Sequence, residues 1–127
     1  MPYVDIVTAL ALIQFIYFAI KVGGARGKYG VAAPATTGHA MFERHFRVQQ
    51  NTLESLVAVV PALYLFSHYF DPRLAAALGV VYLIGRQIYA TSYVKDPAKR
   101  GPGFGLTILP TLVLLVGAAV GAVRQLL

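Results

Sequence analysis

The sequence predicts an all-α integral membrane protein, a single domain over residues 1–127 that folds as a bundle of four transmembrane helices. Composition is the first reason. Hydrophobic residues make up 57% of the 127 residues and charged residues only 13%, whereas charged residues are about 25% of an ordinary soluble domain. A chain this short cannot bury so much apolar surface within itself, so these side chains require lipid.

The second reason is the length of the apolar stretches. A helix needs about 20 mostly apolar residues to cross the hydrocarbon core of a bilayer, and helices are predicted at about residues 3–22, 38–69, 73–94 and 104–125. The second is longer than one crossing requires, so its polar first part is expected to project beyond the membrane or lie at the headgroups. The glycine-rich stretch from Gly23 is predicted as a loop and Gly101–Gly103 as a turn.

The start of the chain is interpreted as a retained helix rather than a secretory signal peptide. A signal peptide has a basic leading region and a small-residue cleavage site. Met1–Ile6 contains Asp5 as its only charged residue, and the apolar run continues to Ile20 without such a site.

The positions of the cations predict the orientation of the bundle. The net charge is +6, and the cations concentrate on alternate connections. The first connection and its flanks contain five cations: Lys21, Arg26, Lys28, Arg44 and Arg47. The second connection contains only Arg73. The third contains Lys95, Lys99 and Arg100. Because cytoplasmic loops carry such an excess, the first and third loops are predicted to be cytoplasmic. Nucleic-acid binding is disfavoured, since the aromatic and basic platform of a known module is absent.

Cysteine and histidine usage limits the chemistry that the chain can perform. No cysteine is present, which excludes a disulfide framework, a thiolate metal site and a cysteine nucleophile. His39, His45 and His68 lack metal-ligand spacing to one another or to the carboxylates. The sequence therefore predicts no metal cofactor.

A polar face is predicted on the second helix. Arg47, Asn51 and Glu54 are spaced i, i+4 and i+7, so they lie on one side of the helix. Arg47 and Glu54 are about 10 Å apart along the axis, which is too far for direct pairing. A ligand or another helix must supply their partners, because polar groups within membrane helices are costly. A structural network between helices is the alternative to a binding site.

A second polar face is predicted on the third helix. Arg86, Tyr89 and Tyr93 are spaced i, i+3 and i+7. Tyrosines also form aromatic belts at membrane interfaces whatever the function. The belt interpretation is applied to Tyr3, Tyr17, Tyr69 and Tyr82. Arg86 lies deeper and requires a carbonyl, carboxylate or water partner, for which Glu54 is one candidate.

The third connection contains a further cationic group, Lys95, Lys99 and Arg100. Two interpretations stay open for it. The cations can contact lipid headgroups. Alternatively, a guanidinium, which stays charged at any working pH, can hold a thiolate or carboxylate at the membrane surface.

These groups fall in segments that resemble one known family. The segments are FERHFRVQQNTLES at residues 42–55, VYLIGRQIYATSY at residues 81–93, and KRGPGF, which contains Arg100. Together they resemble the MAPEG family, the membrane-associated proteins of eicosanoid and glutathione metabolism, over nearly the whole chain. The nearer subgroup is that of microsomal glutathione transferases two and three and leukotriene C4 synthase.

The resemblance implies a homotrimer of four-helix subunits that binds glutathione between neighbouring subunits, near the cytoplasmic face. It implies glutathione as a co-substrate and no metal. The activity implied is a glutathione transferase or glutathione-dependent peroxidase acting on lipophilic electrophiles or lipid hydroperoxides from the bilayer.

The resemblance also assigns roles to individual residues. One subunit would contact glutathione through Arg47, Asn51, Glu54, Tyr89 and Tyr93. The neighbouring subunit would contribute Arg26 and Gln49. Arg100 would stabilise the glutathione thiolate. Two positions depart from leukotriene C4 synthase, which has a tyrosine at the place of Ser55 and an arginine at the place of Gly27. Both departures argue against leukotriene synthesis in particular more than against glutathione binding.

Two other functions are weighed against this one. A non-catalytic lipid-binding or scaffold member of the same family, like the five-lipoxygenase-activating protein, has no need of the polar set around Arg47 and Arg100. A small four-helix transporter relies on an acid embedded in its first helix, where this chain has only Asp5 at the very end.

Overall fold

Four long helices account for most of the chain. The structure, a computed structural model that describes all 127 residues, contains α1 (Pro2–Tyr29), α2 (Ala40–Tyr69), α3 (Pro72–Lys95) and α4 (Gly101–Leu126), with one short 3₁₀ turn at Pro97–Lys99 before α4. No strand is present. The all-α class is confirmed.

Three of these helical segments are long and apolar enough to cross a membrane, namely α1, α3 and Pro97–Leu126, which includes α4. The second helix has 30 residues and is therefore about 45 Å long. Its first turns contain Glu43, Arg44 and Arg47, which lower its mean hydropathy. This amphipathic start agrees with the expectation that α2 begins outside the apolar core of the bilayer.

The first helix is longer than its predicted range of 3–22. It continues to Tyr29 and ends at Gly30, whose φ of 68° and ψ of 35° lie in the left-handed region. The predicted loop from Gly23 is therefore helical. Tertiary contacts outweigh the low helix propensity of glycine here, because Val22 and Ala25 are buried in a cluster with Phe42.

The fourth helix begins three residues before its predicted start at 104, so the predicted turn at Gly101–Gly103 is its first turn. Pro102 is tolerated there, since the first N–H groups of a helix have no partner within it. Gly103 is required at this level for another reason: a Cβ atom would collide with the backbone of Tyr89. Gly85 on α3 likewise faces Leu106, whose carbonyl carbon would lie 2.7 Å from an added Cβ. The two glycines hold the last turns of α3 directly against the start of α4.

The helices form a four-membered ring in the order α1, α2, α4, α3. Both α1 and α4 contact α2 and α3, and α2 also contacts α3 across the centre. The main core contains Val4, Leu63, Tyr82 and Leu114, one residue from each helix. Apolar contacts within this core hold the four helices together.

The two ends of the bundle differ in charge. We call the basic end the one where α1 and α3 end and α2 and α4 begin. Its cations are Lys21, Arg26, Lys28, Arg44, Arg47, Lys95, Lys99 and Arg100. The opposite end has Arg73 and Arg124 together with Asp5 and Asp71.

Candidate functional site

A fully buried arginine connects three helices below the basic end. Arg86 of α3 is 0% exposed. Its guanidinium donates to Asn51 Oδ1 at 2.9 Å, Thr52 Oγ1 at 2.8 Å and Thr107 Oγ1 at 3.4 Å. The guanidinium carbon also lies 4.2 Å from the centre of the Tyr89 ring. The contacts fix α2 and α4 relative to α3 at this depth.

Hydrogen bonds within α2 and α4 orient the two threonine hydroxyls so that they can accept from Arg86. Thr52 Oγ1 donates its proton to the Val48 carbonyl at 2.7 Å, and Thr107 Oγ1 donates to the Gly103 carbonyl at 2.9 Å. Each hydroxyl has one proton and two lone pairs. Because the proton is used within the helix, the lone pairs are free to accept from Arg86.

No carboxylate neutralises Arg86. Glu54, one of the candidate partners, is exposed and forms no ion pair or hydrogen bond with it, so this candidate is wrong. The reason is rotation: Glu54 points out of the bundle, whereas Asn51 and Thr52 reach inward. The Arg86 Nε–H has no hydrogen-bond partner at all. A buried charge held by neutral oxygens and one aromatic ring is costly, which marks this level as a functional candidate.

Arg86 determines which way the Asn51 amide faces. A guanidinium only donates hydrogen bonds, so the Asn51 carbonyl oxygen must be the atom that faces it. The NH₂ group of Asn51 is left without a partner inside the chain. Arg86 therefore orients the Asn51 side chain so that its NH₂ group points to the other side, away from Arg86, and can donate hydrogen bonds there.

That other side is a cavity of about 210 Å³ between α2 and α4, which we call the α2–α4 cavity. Its wall includes Asn51, Glu54, Ser55, Phe104 and Thr107. It presents an amide donor and a carboxylate acceptor on one face of α2. A ligand with both an acidic and a cationic group matches this pair.

Ser55 belongs to the floor of the same cavity. Its hydroxyl donates to the Thr52 carbonyl at 2.8 Å, and its oxygen lies 2.6 Å from the Tyr82 hydroxyl. Since the single Ser55 proton is already used, Tyr82 is the donor in that pair. Tyr82 is 0% exposed, so its assignment to an interfacial aromatic belt is wrong.

Tyr89 and Tyr93 continue the column above Arg86. Their rings are stacked with centres 5.6 Å apart, and Tyr89 is buried while Tyr93 is half-buried. Below them, Arg86 contacts the Tyr89 ring and donates to Asn51 on the polar face of α2. The structure thus brings the two predicted polar faces together at the basic end.

Arg47 and Arg100 are both exposed, and neither forms an ion pair. Arg100 precedes α4 and donates from Nη1 to the Pro97 carbonyl at 3.2 Å. Arg47 lies one turn above Asn51 on α2. Both guanidinium groups are free to meet an anion.

Arg26 and Gln49 lie elsewhere in the chain. Arg26 donates to the Ala35 carbonyl at 2.7 Å and stacks on Phe42 with its guanidinium carbon 4.8 Å from the ring centre. Gln49 is two residues from both Arg47 and Asn51, so it projects from roughly the opposite side of α2. One subunit therefore does not bring Arg26 and Gln49 to the α2–α4 cavity.

Thr52, Thr107 and Tyr82 are the members of this site that sequence reasoning missed. For Thr107 and Tyr82 a weak signal is present, since each is a polar side chain within an otherwise apolar helical stretch. No group of three or more histidine, cysteine or acidic side chains is placed to hold a metal ion.

Comparison with known proteins gives a consistent result. A sequence model of the MAPEG family matches residues 4–120. Human microsomal glutathione S-transferase 2 is 42% identical over 113 residues, which cover 88% of this chain and 77% of the relative. Bovine leukotriene C4 synthase is 31% identical over 121 residues, 95% of this chain and 81% of the relative. An uncharacterised protein of Synechocystis is 49% identical over 121 residues, which cover 95% of this chain and 88% of that protein.

Proposed function

This chain belongs to the MAPEG family, and on that premise we propose that it is a membrane-bound glutathione transferase that acts on lipophilic electrophiles. Reduction of lipid hydroperoxides at the same site is the second reaction that the proposal includes. The observation that carries it is the α2–α4 cavity, where a donor fixed by Arg86 and a free carboxylate line one wall, with Arg47 one turn above them on the same helix.

The face of α2 that carries Arg47, Asn51 and Glu54 matches the charges of glutathione. This tripeptide has two carboxylates and one ammonium group near neutral pH. Arg47 and the Asn51 amide would bind a carboxylate, and Glu54 would bind the ammonium group. Tyr89 and Tyr93 would line the path between this cavity and Arg100.

Arg100 would supply the chemical activation. A free thiol has a pKa of about 8.5, and a nearby cation lowers it. The Arg100 guanidinium stays charged at any working pH and makes only one hydrogen bond within the chain, to a carbonyl. It would therefore hold glutathione as the thiolate at neutral pH.

The conjugation step follows from the thiolate. Its sulfur attacks the electrophilic carbon of the lipophile, a carbon–sulfur bond forms, and the leaving group departs with its electron pair. In the peroxidase reaction two glutathione molecules are oxidised to the disulfide, while the hydroperoxide is reduced to an alcohol and water. The hydrophobic substrate would arrive from the bilayer, since the outer surfaces of α1 and α4 are apolar.

A neighbouring subunit would complete the site. Arg26 and Gln49 face away from the α2–α4 cavity of their own chain, which supports the part of the proposal that assigns them to the cavity of a neighbouring copy. The proposal therefore includes the homotrimer, with glutathione bound between subunits. The excess of cations at the basic end would place this site on the cytoplasmic side.

The test is conjugation of glutathione to an aryl halide by the purified protein in detergent. The proposal predicts saturable product formation that depends on both substrates and is lost in Arg47→Ala. The matched control is Arg124→Ala, which removes a cation at the opposite end and should leave the rate unchanged. Glutathione binding without any conjugation would instead favour a non-catalytic scaffold member.

A further inference from the structure

A second pocket opens at the basic end, on another side of α2. It has a volume of about 420 Å³ and lies between α1, α2 and α3. It shares no lining residue with the α2–α4 cavity. We call it the three-helix pocket.

The ionisable lysine, arginine and histidine side chains that line this pocket are all basic. Lys21, Arg44, His45 and Lys95 contribute to its wall, and no acidic side chain does. None of the four forms an ion pair within the chain. The pocket therefore concentrates positive charge that the fold itself leaves uncompensated.

Arg44 is fixed in position within this wall. Its Nη1 donates to the carbonyls of Val94 at 3.0 Å and Lys95 at 3.3 Å, at the carboxyl end of α3. Such carbonyls have no partner inside their own helix. The bonds hold the guanidinium at the mouth of the pocket and leave its remaining N–H groups for a ligand.

The deeper wall of the pocket is apolar. Phe18, Val48 and Ala90 line it and belong to one buried cluster. A small soluble anion would leave this surface unused. The combination of a cationic mouth and an apolar wall matches a molecule with an anionic head and a hydrocarbon tail.

We propose that the three-helix pocket binds an anionic phospholipid, with the phosphate held by Lys21, Arg44 and Lys95 and acyl chain atoms against the apolar wall. Zwitterionic lipids and glutathione each contain a cationic nitrogen, and the pocket offers no carboxylate to receive one. Position supports the same ligand: the cations lie at the basic end, where the membrane helices α1 and α3 finish, and lipid phosphates lie at that level. The assignment is independent of the proposed conjugation activity.

The test is lipid binding by the full-length protein in a neutral detergent, followed by native mass spectrometry. The probes are phosphatidylglycerol and phosphatidylcholine of identical acyl chains. The pocket variant is Lys21→Gln with Lys95→Gln. The matched control is Lys28→Gln with Lys99→Gln, which removes the same charge at the same end from exposed residues that do not line the pocket.

The proposal predicts saturable binding of phosphatidylglycerol to the wild type and to the control variant. The pocket variant should bind it roughly thirty-fold more weakly, at about a factor of five for each lysine near the surface. Phosphatidylcholine should bind weakly to all three proteins. Equal losses in the two variants, or equal affinity for the two lipids, would overturn the assignment.

Three competitors distinguish the possible sources of the anion. Palmitate, inorganic phosphate and glutathione are each added to the wild type with bound phosphatidylglycerol. The assignment predicts that none displaces the lipid at an equal concentration. Displacement by palmitate would reassign the pocket to a fatty acid, by inorganic phosphate to a soluble anion, and by glutathione to the peptide substrate.

Discussion

The two ends of the bundle satisfy their polar groups in different ways. At the opposite end the partners lie within the chain: the Tyr64 hydroxyl donates to Asp5 at 2.7 Å, and Arg73 pairs with Asp71 at 3.1 Å. At the basic end Arg47, Glu54 and Arg100 have no ionic partner. Both acids of the opposite end are therefore held by partners within the chain, whereas Glu54 and two arginines of the basic end are left without one.

This difference locates the chemistry. All four helices run between the two ends of the bundle, so burial alone does not distinguish the ends. The two ends differ because Arg86 lies near the basic end. It donates its hydrogen bonds to Asn51 and two threonines and has no acidic partner. Substitutions at the basic end should therefore change activity, and those at the opposite end should change stability.

The largest effect is expected at Arg100. In Arg100→Ala, kcat for conjugation should fall by about a hundred-fold or more, the range found when one preorganised donor to a developing charge is removed. Glutathione binding should weaken much less, because the other contacts are kept. Steady-state kinetics with an aryl halide measures both quantities. A kcat equal to that of the opposite-end variant Arg124→Ala would remove Arg100 from the mechanism.

The next largest effect is expected at Asn51, where one substitution should change glutathione affinity and thermal stability in opposite directions. Asn51→Asp places a carboxylate beside Arg86 and should raise the thermal unfolding temperature, because the already desolvated guanidinium gains a charge-assisted hydrogen bond. The same change removes the amide donor, so glutathione affinity should fall by about tenfold or more. Thermal unfolding and equilibrium binding check the two halves. Tighter glutathione binding together with higher stability would show that the amide does not face the ligand.

The smallest effect is expected at Asp71 in the opposite end. Hydrogen bonds from Arg73 lower the pKa of the Asp71 carboxyl below its ordinary value. Its contribution to stability is therefore present above the unfolded pKa of about 3.9 and is lost as the pH falls through the folded pKa. Asp71→Asn should lower the unfolding temperature slightly at pH 7, and the difference should vanish once the pH is below the folded pKa of Asp71. Because both side chains are exposed, a large effect at pH 7 would contradict this account.

The sequence predicted the helices better than the contacts between them. Apolar stretches predicted four helices, and periodic spacing predicted the shared face of Arg86, Tyr89 and Tyr93, whose stacked column the structure contains. Spacing within one helix does not reveal how that helix is rotated against its neighbours. For this reason Glu54 was expected to pair with Arg86, whereas Asn51 does.

The bounds of α1 were missed for a related reason. Gly23 and the glycines after it predict a loop when they are considered locally. Burial of Ala25 against the start of α2 outweighs that preference, and such a contact is between residues far apart in the chain. Tyr82 was misassigned in the same way, since a tyrosine at an interface and one buried against Ser55 have the same local sequence signal.

The central claim is that glutathione binds at the basic end through the face of α2 that Arg86 organises. Isothermal titration of glutathione into the purified protein in detergent tests this most directly, with Arg47→Ala and Arg124→Ala as a matched pair. The account predicts saturable binding by the wild type and Arg124→Ala, and a loss of at least about tenfold in affinity for Arg47→Ala. No binding by the wild type at millimolar glutathione, or equal affinity in both variants, would contradict it.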